Sequence, residues 1–240
     1  IQKGDEYISV GKSGRIPSFF VVKTDSYGEK IWETLYGEGP GDKAQYVIKS
    51  TGQSPSYVAL GQINNPNTAD SDICIIGINS DGDQHWYRTI QYGNSINEHG
   101  NYISSLAGGG YIVAGTRQVD NWDDLLLMKV NNDGTQSSSW NFGGSYNEVG
   151  NYTQEVNGGY FISGFTESFG RGFYDGWIIK IDSNGNEIYN HTFGGNLDDK
   201  MLGGTNSSTG DGPVIVGYTK SFGNGGEDML FIKIDQGYQP

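Results

Sequence analysis

The chain repeats itself, and the repeat is too short and too rich in turns to hold helices between its strands. An apolar segment closing on glycine recurs as Tyr7-Ile8-Ser9-Val10-Gly11, Tyr57-Val58-Ala59-Leu60-Gly61, Tyr111-Ile112-Val113-Ala114-Gly115, Tyr160-Phe161-Ile162-Ser163-Gly164 and Pro213-Val214-Ile215-Val216-Gly217, a period of about 50 residues. A second apolar segment follows each: Ser18-Phe19-Phe20-Val21-Val22-Lys23, Asp72-Ile73-Cys74-Ile75-Ile76-Gly77, Asp124-Leu125-Leu126-Leu127-Met128-Lys129, Asp175-Gly176-Trp177-Ile178-Ile179-Lys180 and Asp228-Met229-Leu230-Phe231-Ile232-Lys233. A third ends in aromatic-glycine, at Tyr36-Gly37, Tyr92-Gly93, Phe142-Gly143 and Phe193-Gly194. Between the second and third lie Asp25-Ser26-Tyr27-Gly28, Asn79-Ser80-Asp81-Gly82, Asn131-Asn132-Asp133-Gly134 and Asp182-Ser183-Asn184-Gly185. There an Asx side chain opens a hairpin turn and glycine takes the positive φ that a β-carbon resists. A fourth stretch, such as residues 45–50 or 101–106, leads back to the next first segment.

Parallel strands need crossovers of a dozen or more residues, and these gaps have no room for them. The pattern predicts an all-β chain of four-stranded antiparallel meanders, the blade of a β-propeller, forming a single domain over residues 1–240. Within a blade the stretch after aromatic-glycine is inner strand a. The glycine-closing segment is b, the second segment c and the aromatic-glycine segment outer strand d. About five blades are visible, but only four d strands. Aligning Gly11 with Gly115 places Ile1 inside strand a, so the seam blade lacks its outer strand within this chain. The last c strand, from Asp228 to Asp235, would then present an apolar edge bearing Met229, Leu230, Phe231 and Ile232. Residues preceding Ile1 are the expected cover. The alternatives are residues beyond Pro240 or a neighbour's strand, and the last would build a head-to-tail filament by self-association.

Charge narrows the function. Over 240 residues, 15 Lys and Arg stand against 28 Asp and Glu, a net charge of −13, which excludes a nucleic-acid partner held by phosphate contacts. No apolar run approaches the length of a membrane-spanning helix, so membrane insertion is not expected. The single cysteine, Cys74, sits among Ile73, Ile75 and Ile76 and reads as a buried, inert thiol.

Two sets of carboxylates recur in register. Asp72, Asp124, Asp175 and Asp228 open strand c, where the first repeat has Ser18. Asp42, Glu98, Glu148 and Asp199 each follow the aromatic of aromatic-glycine by six residues. Both sets belong to the b–c and d–a loops, which share one face of a propeller. One reading makes them acceptors for the backbone N–H groups of glycine-rich loops. The other makes them a cation-binding (calcium) or sugar-binding surface; a resident cofactor is not expected. Residues 79–83 and 182–187 lack the glutamate that closes a calcium loop and read as turns. His85, His99 and His191 form no metal-spaced pair, and no Ser-His-Asp set can be assembled, so no catalytic residue is assigned. Three sequons occur, at Asn151, Asn190 and Asn206. Asn190 on an outer strand is the expected glycan carrier. Trp122, out of register with the other tryptophans, is a candidate for stacking on a ligand.

The runs Phe193-Gly194-Gly195, Gly158-Gly159-Tyr160, Ser221-Phe222-Gly223-Asn224-Gly225-Gly226-Glu227-Asp228 and Ile178-Ile179-Lys180-Ile181-Asp182 resemble the blades of prokaryotic secreted and cell-surface β-propellers over the whole chain. That resemblance implies an extracellular or cell-surface structural or adhesive module, non-catalytic, binding protein or glycan. It would suit a repeating unit of a surface layer or filament. The alternative is a carbohydrate-active lyase or hydrolase using its top-face carboxylates.

Overall fold

A computed structural model of the chain describes residues 2–3, 6–12, 19–37, 41–52, 54–65, 70–206 and 212–235. Among them there is no helix, and the strands form five antiparallel sheets. The first sheet holds β1 (Gln2–Lys3), β2 (Glu6–Lys12), β3 (Phe19–Asp25) and β4 (Lys30–Tyr36). The second holds β5 (Lys43–Lys49), β6 (Tyr57–Asn64), β7 (Ser71–Ile78) and β8 (Gln84–Ile90). The third holds β9 (Glu98–Ser105), β10 (Tyr111–Val119), β11 (Trp122–Val130) and β12 (Gln136–Phe142). The fourth holds β13 (Glu148–Val156), β14 (Gly159–Thr166), β15 (Asp175–Asp182) and β16 (Glu187–Phe193). The fifth has three strands among the described residues: β17 (Asp199–Asn206), β18 (Pro213–Thr219) and β19 (Asp228–Lys233). Each sheet is a meander in chain order, as the repeats require.

The chain divides into two compact units, Ile1–Val113 with Lys129–Ser138 and Ala114–Met128 with Ser139–Pro240. In the first, Phe19 and Val21 of the first sheet share one buried cluster with Ala44, Cys74, Ile76 and Ile78 of the second. In the second, Leu125 lies against Gly150, and Met201 against Gly176. Strands β7 and β15 are therefore apolar on both sides and read as continuous hydrophobic runs rather than alternating ones.

Three local devices build the sheets. The hairpin turns form as expected. Asp25 Oδ1 accepts from Tyr27 N and Glu29 N, both at 2.9 Å, while Gly28 sits at φ +84°. Asp182 repeats this with Asn184 N at 2.8 Å and Asn186 N at 2.9 Å, and its hydrogen bonds, that of Asn186 foremost, hold its carboxyl below the usual range. These carboxylates are occupied by their own turns, so the turn reading of 182–187 stands.

A second device is a bulge. Strands β5, β13 and β17 shift register beside their b strand, between Ala44 and Tyr46, Gly150 and Tyr152, and Met201 and Gly203. The bulge drives a carbonyl onto the closing glycine. A β-carbon on Gly61, Gly164 or Gly217 would stand 2.1, 1.7 or 1.8 Å from the oxygen of Lys43, Val149 or Lys200. The recurring glycine thus answers to crowding.

The third device joins sheets. Trp32 Nε1 donates to Ser80 O at 3.0 Å and its ring covers Gly82. Trp86 covers Gly134, and Trp140 covers Gly185 while donating to Asn184 O at 3.2 Å. In each case a d-strand tryptophan of one repeat caps the c–d turn of the next.

Candidate functional site: the carboxylate loops

In each sheet the b–c and d–a loops lie at the same end, and the recurring acids gather there. Asp42, Glu98, Glu148 and Asp199 are all buried. Asp42 Oδ1 accepts from Asn64 N at 2.9 Å, and Glu98 Oε1 from Tyr92 N at 3.3 Å. Glu148 accepts from Gly144 N at 2.9 Å, Ser168 N at 3.0 Å and the Thr166 hydroxyl at 2.9 Å. Asp199 accepts from Gly195 N at 2.9 Å, Lys220 N at 3.1 Å, the Ser221 hydroxyl at 2.6 Å and the Thr219 hydroxyl. Each such acid ties its own aromatic-glycine loop, the following b–c loop or both.

The strand-c set is placed differently. Asp175 Oδ2 accepts from Arg171 N at 2.7 Å and Gly172 N at 2.9 Å, and Asp228 Oδ2 from Asn224 N at 3.0 Å. Asp72 is buried and takes a 3.3 Å bond from the Gln91 amide. Ser18 lies outside the described residues.

The two sets meet on the glycine of aromatic-glycine. A β-carbon on Gly143 would stand 2.1 Å from Asp124 Oδ1 and 2.9 Å from Glu148 Oε2. On Gly194 it would stand 1.9 Å from Asp175 Oδ1 and 2.7 Å from Asp199 Oδ2. The acids therefore converge two at a time. Among the described residues, no group of three or more His, Cys, Asp or Glu side chains is placed to hold a metal.

Electrostatics separates the partners. Burial raises the Asp124 carboxyl, and the nearby Glu148 raises it further. Burial likewise raises Asp72, with Asp70 adding to it. For Asp199 burial again pushes upward, but the hydrogen bonds from Ser221, Thr219 and Gly195 outweigh it and hold the group below its ordinary value. Burial pushes the Cys74 thiol up to about 12, in keeping with an inert core cysteine.

A polar tier one residue before the acids was missed by the register argument. Asn97 Oδ1 accepts from Ser71 N at 3.0 Å, Asn147 Oδ1 from Asp123 N at 3.2 Å, and Asp198 pairs with Lys220 at 3.1 Å. The signal was present in Asn97-Glu98, Asn147-Glu148 and Asp198-Asp199.

Trp122 is 39% exposed and meets Tyr146, itself 47% exposed, edge to face at 5.2 Å. Phe173 and Phe222, on b–c loops, are also exposed. His85 and His99 lie near Ser54 and Ser71, and His191 against Phe193.

The chain matches no protein-family model and no curated protein.

The sequons differ in setting. Asn190 is exposed on β16, the edge strand of its sheet, with its amide on the exposed Glu187. Asn151 is the extra residue of the β13 bulge, and its Nδ2 donates to Met201 O at 2.8 Å. Asn206 accepts from the Tyr152 hydroxyl at 3.1 Å, and Ser207 and Ser208 of its sequon lie outside the described residues. Expressed in a glycosylating host, the protein is expected to carry glycan at Asn190 and not at Asn151. Glycopeptide mass spectrometry showing Asn151 occupied and Asn190 bare would reverse that assignment.

Because Asp42, Glu98, Glu148, Asp175, Asp199 and Asp228 already accept from their own loops, millimolar calcium is expected to raise the melting temperature by a few degrees at most. Unfolding on chelation would show that structural cation sites had been read as loop acceptors.

Proposed function

We propose that the chain is a propeller-type, non-catalytic module of the extracellular space or cell surface, binding a protein or glycan partner through its loop end. Several features support the propeller reading. Four of the five sheets are four-strand meanders, and successive sheets meet face to face within each compact unit. The observation that carries the non-catalytic reading is the engagement of the carboxylates. The groups an enzyme would use accept two to five bonds each at Glu148, Asp175 and Asp199, from backbone N–H groups and hydroxyls of their own loops. A general acid or nucleophile must instead face its substrate. The exposed pair Trp122 and Tyr146 supplies rigid amphipathic contact area on the same loops, of the kind recognition surfaces use.

The test is direct. The purified chain is incubated with a panel of polysaccharides, with binding followed by calorimetry and products by mass spectrometry. Binding that Trp122→Ala weakens about tenfold, with no product formed, supports the reading. Cleavage that Asp124→Asn abolishes would establish the lyase or hydrolase alternative.

A further inference from the structure

We infer that the loop end of the third sheet takes an amine-bearing glycan, with a sugar ring on Trp122 and Tyr146 and an ammonium group on Asp124. The inference rests on the recognition function proposed above and narrows its ligand to one chemical class.

A missing loop makes the site. In the fourth and fifth sheets, residues 167–174 and 220–227 join strand b to strand c. Their backbone N–H groups bind the acid that opens strand c: Arg171 N and Gly172 N on Asp175, and Asn224 N on Asp228. In the third sheet only Asp120 and Asn121 lie between β10 and β11. The donors are lost with the loop. Asp72, Asp175 and Asp228 each accept at least one hydrogen bond, whereas Asp124 accepts none among the described residues.

The same shortening carries Trp122 into β11, two residues before Asp124 and so on the same face of the strand. Its indole meets the Tyr146 ring edge to face at 5.2 Å, and Tyr146 shares its loop with Gly143, the glycine that Asp124 Oδ1 crowds. At the equivalent positions the second sheet has Asp70 and Ile96, and the fourth has Phe173 and Leu197. Paired rings and an unbonded acid therefore coincide at one junction. All the residues that form it belong to one compact unit.

Charge selects the ligand. Glu148, Asp123 and Asp120 act on Asp124 against Arg117, which makes four carboxylates to one guanidinium with Asp124 counted. Among the described residues no ion pair engages Asp120, Asp123 or Asp124. A uronate or sulfated chain would add to this excess, and an ammonium group relieves it. A sugar ring also lays its C–H face on an aromatic plane, and an amine on its rim gains a charge-assisted bond to the carboxylate. An amine on a flexible peptide stem has no such use for two rings.

Calorimetry in buffer of about pH 6, where sugar amines are protonated and carboxylates ionised, tests this with three probes: hexamers of glucosamine, of N-acetylglucosamine and of galacturonate. The glucosamine hexamer is expected to bind at least about tenfold tighter than its acetylated counterpart, and galacturonate not at all. Asp124→Asn should abolish the preference and leave weak binding of both amino-sugar hexamers. Its fold is not at risk, because the ionised acid it removes opposes folding. Trp122→Ala should weaken both hexamers alike. Equal or tighter binding of the acetylated or the galacturonate hexamer, or a preference that survives Asp124→Asn, overturns this inference and leaves the glycan-binding reading standing. Oligolysine bound as tightly as the glucosamine hexamer overturns it in favour of a basic peptide. A chain that binds none of the three hexamers removes the inference and the glycan reading together.

Discussion

Gly164→Val is expected to destabilise the protein by about 3–5 kcal/mol, while Gly11→Val at the same repeat position changes stability by less than about 0.5 kcal/mol. Both glycines close a b strand, and sequence alone treats them alike. Their surroundings differ. Opposite Gly164 the bulge in β13 brings Val149 O to 1.7 Å from any added β-carbon, with Val149 C at 2.8 Å. These are backbone atoms held in a ladder and have nowhere to move. Opposite Gly11 no atom of the described residues lies within 4 Å of an added β-carbon. Neither glycine has a positive φ, so strain in the glycine's own backbone contributes nothing. Urea denaturation of the two variants decides the matter. Equal losses would mean that the glycine answers to something other than the bulge.

The strand order, the turns and the register-matched acids were legible because each is a local pattern. Alternation and Asx-Gly turns mark four strands per repeat, and a carboxylate six residues beyond an aromatic is visible by counting. What the counting missed depends on contacts between sheets. Trp32 and Trp86 stand four residues after the turn glycine of their own repeat, and Trp140 stands six after its own, yet all three cap the next repeat's turn. Only the packing shows the equivalence. The convergence of Asp124 with Glu148 on Gly143 is of the same kind. The bulge is silent for another reason. Its extra residues, Gln45, Asn151 and Leu202, share no chemistry, since what they do is a backbone matter. For Asn151 that placement also decides whether a sequon is open.

Removing the Asp199 carboxylate should cost nearly as much as the glycine clash. Its oxygens serve two hydroxyls and the N–H groups of Gly195 and Lys220, which Asp199→Ala leaves buried or half-buried without this acceptor. Losing several charge-assisted bonds at a fully enclosed site implies about 3 kcal/mol. The loss should depend on pH in a direction the structure dictates. Asp199 titrates below its unfolded value of 3.8, so the folded state binds fewer protons than the unfolded chain between the two pKa values. Its stabilisation is complete above about pH 4 and disappears as pH falls through that window toward the folded value. The stability difference between wild type and Asp199→Asn should therefore narrow below about pH 4. Asp124 supplies a control of opposite sign. Its pKa is raised, so its ionised form opposes folding, and wild-type stability falls as pH climbs from 3.8 towards the folded value. Asp124→Asn should accordingly gain on the wild type between pH 4 and pH 7, while the deficit of Asp199→Asn holds its full size over that range and shrinks only below about pH 4. Thermal melts of both variants at pH 3, 4, 5 and 7 give the comparison. Parallel curves for the two would remove the distinction drawn between an acid held by its loop donors and one crowded by its neighbour.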